Sequence, residues 1–155
     1  MTPYIITPFS KKYLSNLFEL CRTTIEQIYS ALYDREVVNY FLSYNQPENI
    51  LSDSKIGFTA LVFSDDNLIG SGCLLENNIR RIFVLPKYQR AGIGTKIVKC
   101  LEQKAIENSC SLVDLFAMMP TIDFYEKMGY SQLEICNYKV NNNLCVDYMK
   151  MFKNL

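Results

Sequence analysis

The segment Gln89-Arg90-Ala91-Gly92-Ile93-Gly94 holds the most legible chemistry in this chain. It follows an apolar run that ends in Val84-Leu85-Pro86, and it precedes Ile97, Val98, Leu101 and Ala105, which recur at helical spacing. A strand, a glycine-punctuated loop and the start of a helix therefore meet at one point. The unpaired N–H groups of a helix's first turn make such a point an anion site. Gly92 and Gly94 lack a Cβ, so the loop turns tightly and its backbone comes close to a phosphate, while Arg90 adds a full positive charge.

Two familiar phosphate motifs do not fit. A Walker loop needs glycine where Gln89 stands, and the order Thr95-Lys96 reverses its Lys-Ser/Thr ending. A dinucleotide fingerprint beginning Gly92-x-Gly94 meets Ile97 at its third glycine, and the strands before it read as a meander instead of a βαβ unit. Asp114 stands at about the right distance for a ribose contact, which alone is weak evidence.

The elements that must position this loop follow from periodicity. A strand over 4–7 precedes Ser10, a helix N-cap candidate, and then Leu14, Leu17, Phe18, Cys21, Ile25 and Ile28 at helical spacing. Asp34 caps a second helix around Val37, Val38 and Phe41, and 43–55, with Pro47 and several Asn, Asp and Ser residues, reads as the longest loop. Runs at 58–63, 68–75 and 79–85, separated by polar turns, predict a three-stranded antiparallel meander. A buried strand at 112–116, a short helix at 121–128 stopped by Gly129, and a hairpin of 133–140 with 144–152 complete the chain. The order predicts one domain over 1–155 of mixed α+β class: a central, mostly antiparallel sheet of about seven strands flanked by about four helices.

Composition narrows the function classes. Sixteen Lys and Arg balance sixteen Asp and Glu, and no basic stretch is present, which argues against nucleic acid and anionic membrane as partners. The start, Met1 to Pro8, has no basic and apolar leader pattern, so a soluble, cytoplasmic protein is expected. The six cysteines form no C-x-x-C pair and read as buried thiols in a reducing compartment. Histidine is absent, which removes Ser-His-Asp and Cys-His catalysis and the usual nitrogen-ligated zinc sites; no metal is expected. General acid or base work falls to Glu, Asp, Tyr, Lys, Cys or water.

Val84-x-Pro86-x-x-Gln89-Arg90-x-Gly92-Ile93-Gly94, with Ile97 three residues on, resembles the acetyl-CoA signature of the GNAT family, V-x-P-x-x-[QR]-[RG]-x-G-[IL]-G-x-x-[LIV]. Every defined position is filled. Downstream, Phe124-Tyr125-Glu126-Lys127-Met128-Gly129-Tyr130 is similar to the family's F-Y-x-x-x-G-[FY]. The order of elements fits the family fold along the whole chain, although only these two segments are specific.

The resemblance implies acetyl-CoA as co-substrate and a primary amine, on a small molecule or a peptide, as acceptor. It maps the cofactor's pantetheine arm onto the backbone of Ile82, Phe83 and Val84, and its pyrophosphate onto the amides of Arg90, Ala91, Gly92, Ile93, Gly94 and Thr95, next to Gln89. The amine attacks the thioester directly in a ternary complex while a strand N–H polarises the carbonyl oxygen. Tyr125 protonates or hydrogen-bonds the departing thiolate; Phe124 is read as packing. Glu76, reaching through water, or Asp114 is the base candidate, with a solvent-facing turn carboxylate as the plainer reading of Glu76. Two positions depart from the family: Met118 replaces an asparagine that contacts the cofactor arm, and Thr121 replaces an alanine. Arg80 and Arg81 are read either as solvated strand charges or as binders of an acceptor carboxylate. The acceptor pocket is expected from 31–55 and the terminal hairpin, and a homodimer is among the allowed assemblies. The reading from another class is a non-catalytic acyl-CoA-binding sensor on the same fold.

Overall fold

The computed structural model describes residues 3–155; Met1 and Thr2, the first residues read above for a leader, lie outside them. The strands β1 (Ile5–Pro8), β2 (Phe58–Ser64), β3 (Asn67–Leu75), β4 (Asn78–Val84), β5 (Leu112–Met118), β6 (Ser131–Asn141) and β7 (Leu144–Asn154) form one sheet in the order β1-β2-β3-β4-β5-β7-β6. β4 and β5 run parallel and the other neighbours run antiparallel, so the mixed class, the meander and the closing hairpin match the expectation.

The helices are α1 (Leu14–Thr24), α2 (Arg35–Tyr44), α3 (Pro47–Ile56), α4 (Ile93–Glu107) and α5 (Ile122–Lys127). Ser10 caps a short 3₁₀ turn, Lys11–Tyr13, without a side-chain bond, and Asp34 likewise stands at the start of α2 without one. The apolar period read through Ile28 is also real, but the chain winds through Ile25–Tyr29 as a π turn. Such single π turns are associated with functional sites.

One expectation is corrected. The predicted loop 43–55 contains helix α3. Pro47 sits at its first position, where a fixed φ is favourable and a missing N–H costs nothing, and Glu48 and Lys55 complement the helix dipole. Its only buried residue is Ile50, so no apolar stripe announced it. Polar ties hold it instead: Ser54 and Thr59 hydroxyls lie 2.9 Å apart, and Asp53 meets Arg81.

The cysteine reading also needs correction. All six are free, but only Cys21 and Cys73 are buried; Cys145, in the terminal hairpin, is exposed.

Two apolar clusters cover the two faces of the sheet. α4 contributes Ile97, Val98, Leu101 and Ala105 to one, with Val62, Ile69, Val84, Leu115 and Tyr125. α1, α2 and α3 contribute Leu17, Cys21, Val38 and Ile50 to the other, with Leu61, Phe63 and Phe83. Within α4 the buried Glu102 carboxylate accepts from Tyr130 Oη at 3.0 Å and from Lys153 Nζ at 3.0 Å. A buried charge persists only when paired in this way. The pairing locks α4, β7 and the end of the α5 segment together.

α4 approaches β3 closely because Gly72 has no side chain. A Cβ there would lie 2.4 Å from Ile97 Cγ2 and 2.8 Å from Ile82 Cδ1. Gly72→Ala should therefore overpack this layer and cost about 1–3 kcal/mol, read as a lowered urea midpoint with an unchanged m-value. An unshifted midpoint would show that α4 has room to move outward.

Candidate active site

β4 and β5 are neighbours with a single register pair, Asn78 opposite Asp114. Asp114 N–H donates to Asn77 O at 3.0 Å and Asn78 Nδ2 to Asp114 Oδ1 at 2.8 Å, which pins the strands at this end. Beyond it they splay, and the facing backbone edges of 82–84 and 115–118 have no strand partner among the described residues. Backbone N–H and C=O groups in such a gap need a partner from outside the sheet.

The splay coincides with a bulge. The β3–β4 register shifts between Ser71 and Cys73, and Arg81 has φ 54. A residue added to one strand bends it and resets the alternation of faces. As a result Arg80 and Arg81, adjacent in sequence, both reach Asp53 on the α3 side of the sheet. Ile82 and Val84 then face α4, and Phe83 faces α1.

At the far end of β4 the chain turns through Pro86–Tyr88 into the glycine loop. Gln89 Nε2 donates to Val84 O at 2.9 Å, closing the loop on the strand. Arg90 and Gly92 take the left-handed conformation, φ 60 and 79, and Gly92 is the N-cap of α4. The first helical bond runs from Lys96 N–H to Gly92 O, so the N–H groups of Ile93, Gly94 and Thr95 have no helical partner. No side chain caps them and no acidic residue lies in the first turn. A Cβ on Gly92 would meet nothing within 4 Å, so the loop faces open space. Gln89, Arg90 and Ala91 are exposed, and the predicted loop residues gather at one uncapped helix end.

α5 packs onto this helix start: a Cβ on Gly94 would lie 3.4 Å from Phe124 Cζ. Tyr125 is buried, with its ring edge-on to Phe124 at 4.9 Å and to Tyr130 at 5.7 Å. Burial pushes its phenol above the ordinary value. Tyr29, on the π turn, is raised by burial first and then by the neighbouring Tyr125 hydroxyl, which brings the two phenols into one neighbourhood. Thr121 Oγ1 donates to Met118 O at 2.7 Å and ties the end of β5 to α5. Glu76 lies elsewhere: it is exposed, in the β3–β4 turn at φ 55, roughly 20 Å from the loop along β4. Asp114 is held at the closed end of the splay by Asn78.

On the face opposite α4 a cleft of about 630 Å³ opens beside the splayed strands. Arg81 and Phe83 of β4 and Phe116 and Met118 of β5 border it, with Tyr29, α2, α3 and the β6–β7 hairpin. The cleft is lined from segments 31–55 and from the terminal hairpin, the parts of the chain read above for the acceptor, with α3 as helix. The reading of Arg81 as a solvated charge is overturned. Its side chain is 10% exposed, and its three nitrogens donate to Asn45 Oδ1 at 2.9 Å, Asp53 Oδ2 at 2.6 Å and Tyr44 O at 3.2 Å. Sequence reasoning did not single out Asn45, Asp53, Tyr138 or Tyr148, although they lie in the segments it expected, and Tyr29 and Phe116 lie outside those segments.

The model of the Acetyltransferase (GNAT) family matches residues 14–130. The chain is 28% identical over 118 residues, 70% of this chain and 81% of the relative, to the uncharacterized N-acetyltransferase YjcF of Bacillus subtilis. Its fold is similar to that of a GCN5-related N-acetyltransferase structure from Rhodopseudomonas palustris, with TM-score 0.88, 18% identity, and 100% and 97% of the two chains covered. It is also similar to the PaiA N-acetyltransferase of Thermoplasma acidophilum in complex with coenzyme A, with TM-score 0.81, 18% identity and 99% of each chain covered. The loop, the splayed strands and the family match converge: the chain belongs to the GNAT acetyltransferase family.

Proposed function

We propose that this protein transfers an acetyl group from acetyl-CoA to a primary amine by direct attack in a ternary complex. The observation that carries this reading is the juxtaposition of an uncapped helix start with a strand edge that has no strand partner. A phosphate-bearing, amide-bearing chain fits both at once. The amides of Ile93, Gly94 and Thr95, with Arg90, Ala91 and Gly92, hold the pyrophosphate, and Gln89 keeps the loop in place through Val84 O. The edge at Ile82, Phe83 and Val84 takes the pantetheine amides, and Met118 stands where the family's asparagine would add a contact. When bound, acetyl-CoA supplies an activated thioester; the chain supplies orientation and donors.

Tyr125 donates a hydrogen bond to the leaving sulfur. Its raised pKa keeps the proton on the phenol through mildly alkaline pH, so it acts as a poised donor rather than as a group that titrates during turnover. Among the described residues one carboxylate, Asp53, lines the acceptor cleft, and Arg81 holds it. The acceptor therefore loses its proton to solvent, and Glu76, remote and exposed, has no part in the step. The free thiols are compatible with a cytoplasmic setting, and no helix among the described residues is long and apolar enough to cross a membrane.

Three measurements test this reading. The double change Gly92→Asp with Arg90→Glu should abolish acetyl-CoA binding and the thermal stabilisation that CoA gives the native protein, whereas NAD and ATP should stabilise the wild type much less. Undiminished affinity in a folded double variant would overturn the loop assignment. Tyr125→Phe keeps the ring and should leave acetyl-CoA affinity nearly unchanged while turnover falls about ten- to a thousandfold. Wild-type turnover at saturation would make Tyr125 a packing residue. With no protein base, log kcat/KM should rise with slope near one as pH increases toward the acceptor's own pKa, and Glu76→Gln should not move the profile. A plateau well below that pKa, lost in Glu76→Gln, would reinstate the carboxylate.

A further inference from the structure

The two arginines of β4 are chemically equivalent in sequence but not in place. Arg81 has each of its nitrogens committed to Asn45, Asp53 and Tyr44, and it is sealed in. Arg80 spends only Nε, on Asn78 Oδ1 at 3.0 Å, and its Nη1 stands 3.7 Å from Asp53, beyond a good hydrogen bond. Its side chain is 40% exposed and borders the cleft. The planar fork of an arginine left open in this way suits a carboxylate, which it takes with two parallel bonds.

The charge of the cleft agrees. Arg80 and Arg81 face the single carboxylate of Asp53, an excess of one positive charge among the lining side chains. A polyamine or aminoglycoside would bring several ammonium groups to a wall whose one carboxylate is already paired, leaving them only ring faces and neutral polar groups. Much of the rest of the wall is aromatic, beside neutral side chains such as Asn49, Ser52 and Asn137. Phe116, 52% exposed, and Tyr44, 50% exposed, present rings to the space, and Tyr138 and Tyr148 flank them, with Phe116 and Tyr148 centroids 6.4 Å apart. Large apolar side chains left this open in a cleft mark a place where a flat apolar body lies.

We infer that the acceptor is a small aromatic amino acid, its carboxylate held by Arg80 and its ring among Phe116, Tyr44, Tyr138 and Tyr148. This rests on the transferase reading above and narrows it to one substrate class. Arg81 and Asp53 are positioning residues here: they hold the bulge that turns Arg80 toward the cleft.

The test separates the subsite from the activity. With CoA at saturation, N-acetylphenylalanine and N-acetylphenylalaninamide, which differ only in the carboxylate, are titrated calorimetrically into the full chain. The acid should bind about ten- to a hundredfold more tightly, as a charge-assisted pair requires. Arg80→Gln should abolish that preference without changing affinity for the amide, and Arg80→Lys should keep part of it. In parallel, CoA thiol release is followed with phenylalanine and with spermidine, and phenylalanine should be the better acceptor. Equal binding of acid and amide, a preference that survives Arg80→Gln, no binding of either, or a preference for spermidine would overturn the proposal. Carboxylate-selective, Arg80-dependent binding without thiol release would uphold the subsite and overturn the transferase reading. Thiol release that is as efficient with phenylalaninamide as with phenylalanine would uphold the transferase reading and overturn the subsite.

Discussion

Asn78 and Asp114 form the one register pair between β4 and β5, and the strands part immediately beyond it. A seven-stranded sheet that opens along an interior seam leaves backbone donors and acceptors facing each other without a strand partner. Such groups are costly to bury unpaired. The seam is therefore stable only as a wet groove or with an amide-bearing ligand in it. The glycine loop lies at the open end of one strand, and α5 seats Tyr125 close by, so the rest of the molecule is arranged around that opening.

The bulge at Arg81 lies three residues beyond that register pair. With one residue in the left-handed region, β4 turns two consecutive arginines to one face. That conformation is unfavourable for a side chain with a Cβ. Its cost is offset by the ion pair to Asp53 and by hydrogen bonds to Asn45 and Tyr44, all within a largely buried corner. The same contacts fasten the α2–α3 corner to the sheet, so the bulge and the neighbouring wall of the cleft share one guanidinium.

On the other face α4 presses closely against β3, which the missing side chain of Gly72 permits. Close packing there fixes the direction of α4 and hence where its uncapped N–H groups point. The Glu102, Tyr130 and Lys153 cluster fixes the other end of the same unit and orients the Tyr130 ring against Tyr125. The glycine loop and the phenol thus belong to one layer, while the cleft belongs to the opposite layer.

What the sequence alone determined is local. The loop from Val84 to Ile97 and the Phe124-Tyr125 segment were legible because turn chemistry, helix starts and glycine conformations depend on neighbours a few residues apart. The strands were legible for the same reason, through alternation and the polar turns between them. α3 was not, because it buries only Ile50 and is held by polar contacts to β2 and β4, distant in sequence. Glu76 looked near the chemistry because a strand end is close in sequence, yet β4 carries the two apart. The adjacent arginines could not be told apart either: which is buried and which is open depends on a bulge and on partners 28 and 36 residues away. The aromatic walls, gathered from α2, β5, β6 and β7, exist only once the sheet has brought those elements together, since long-range packing leaves no periodic mark in any one of them.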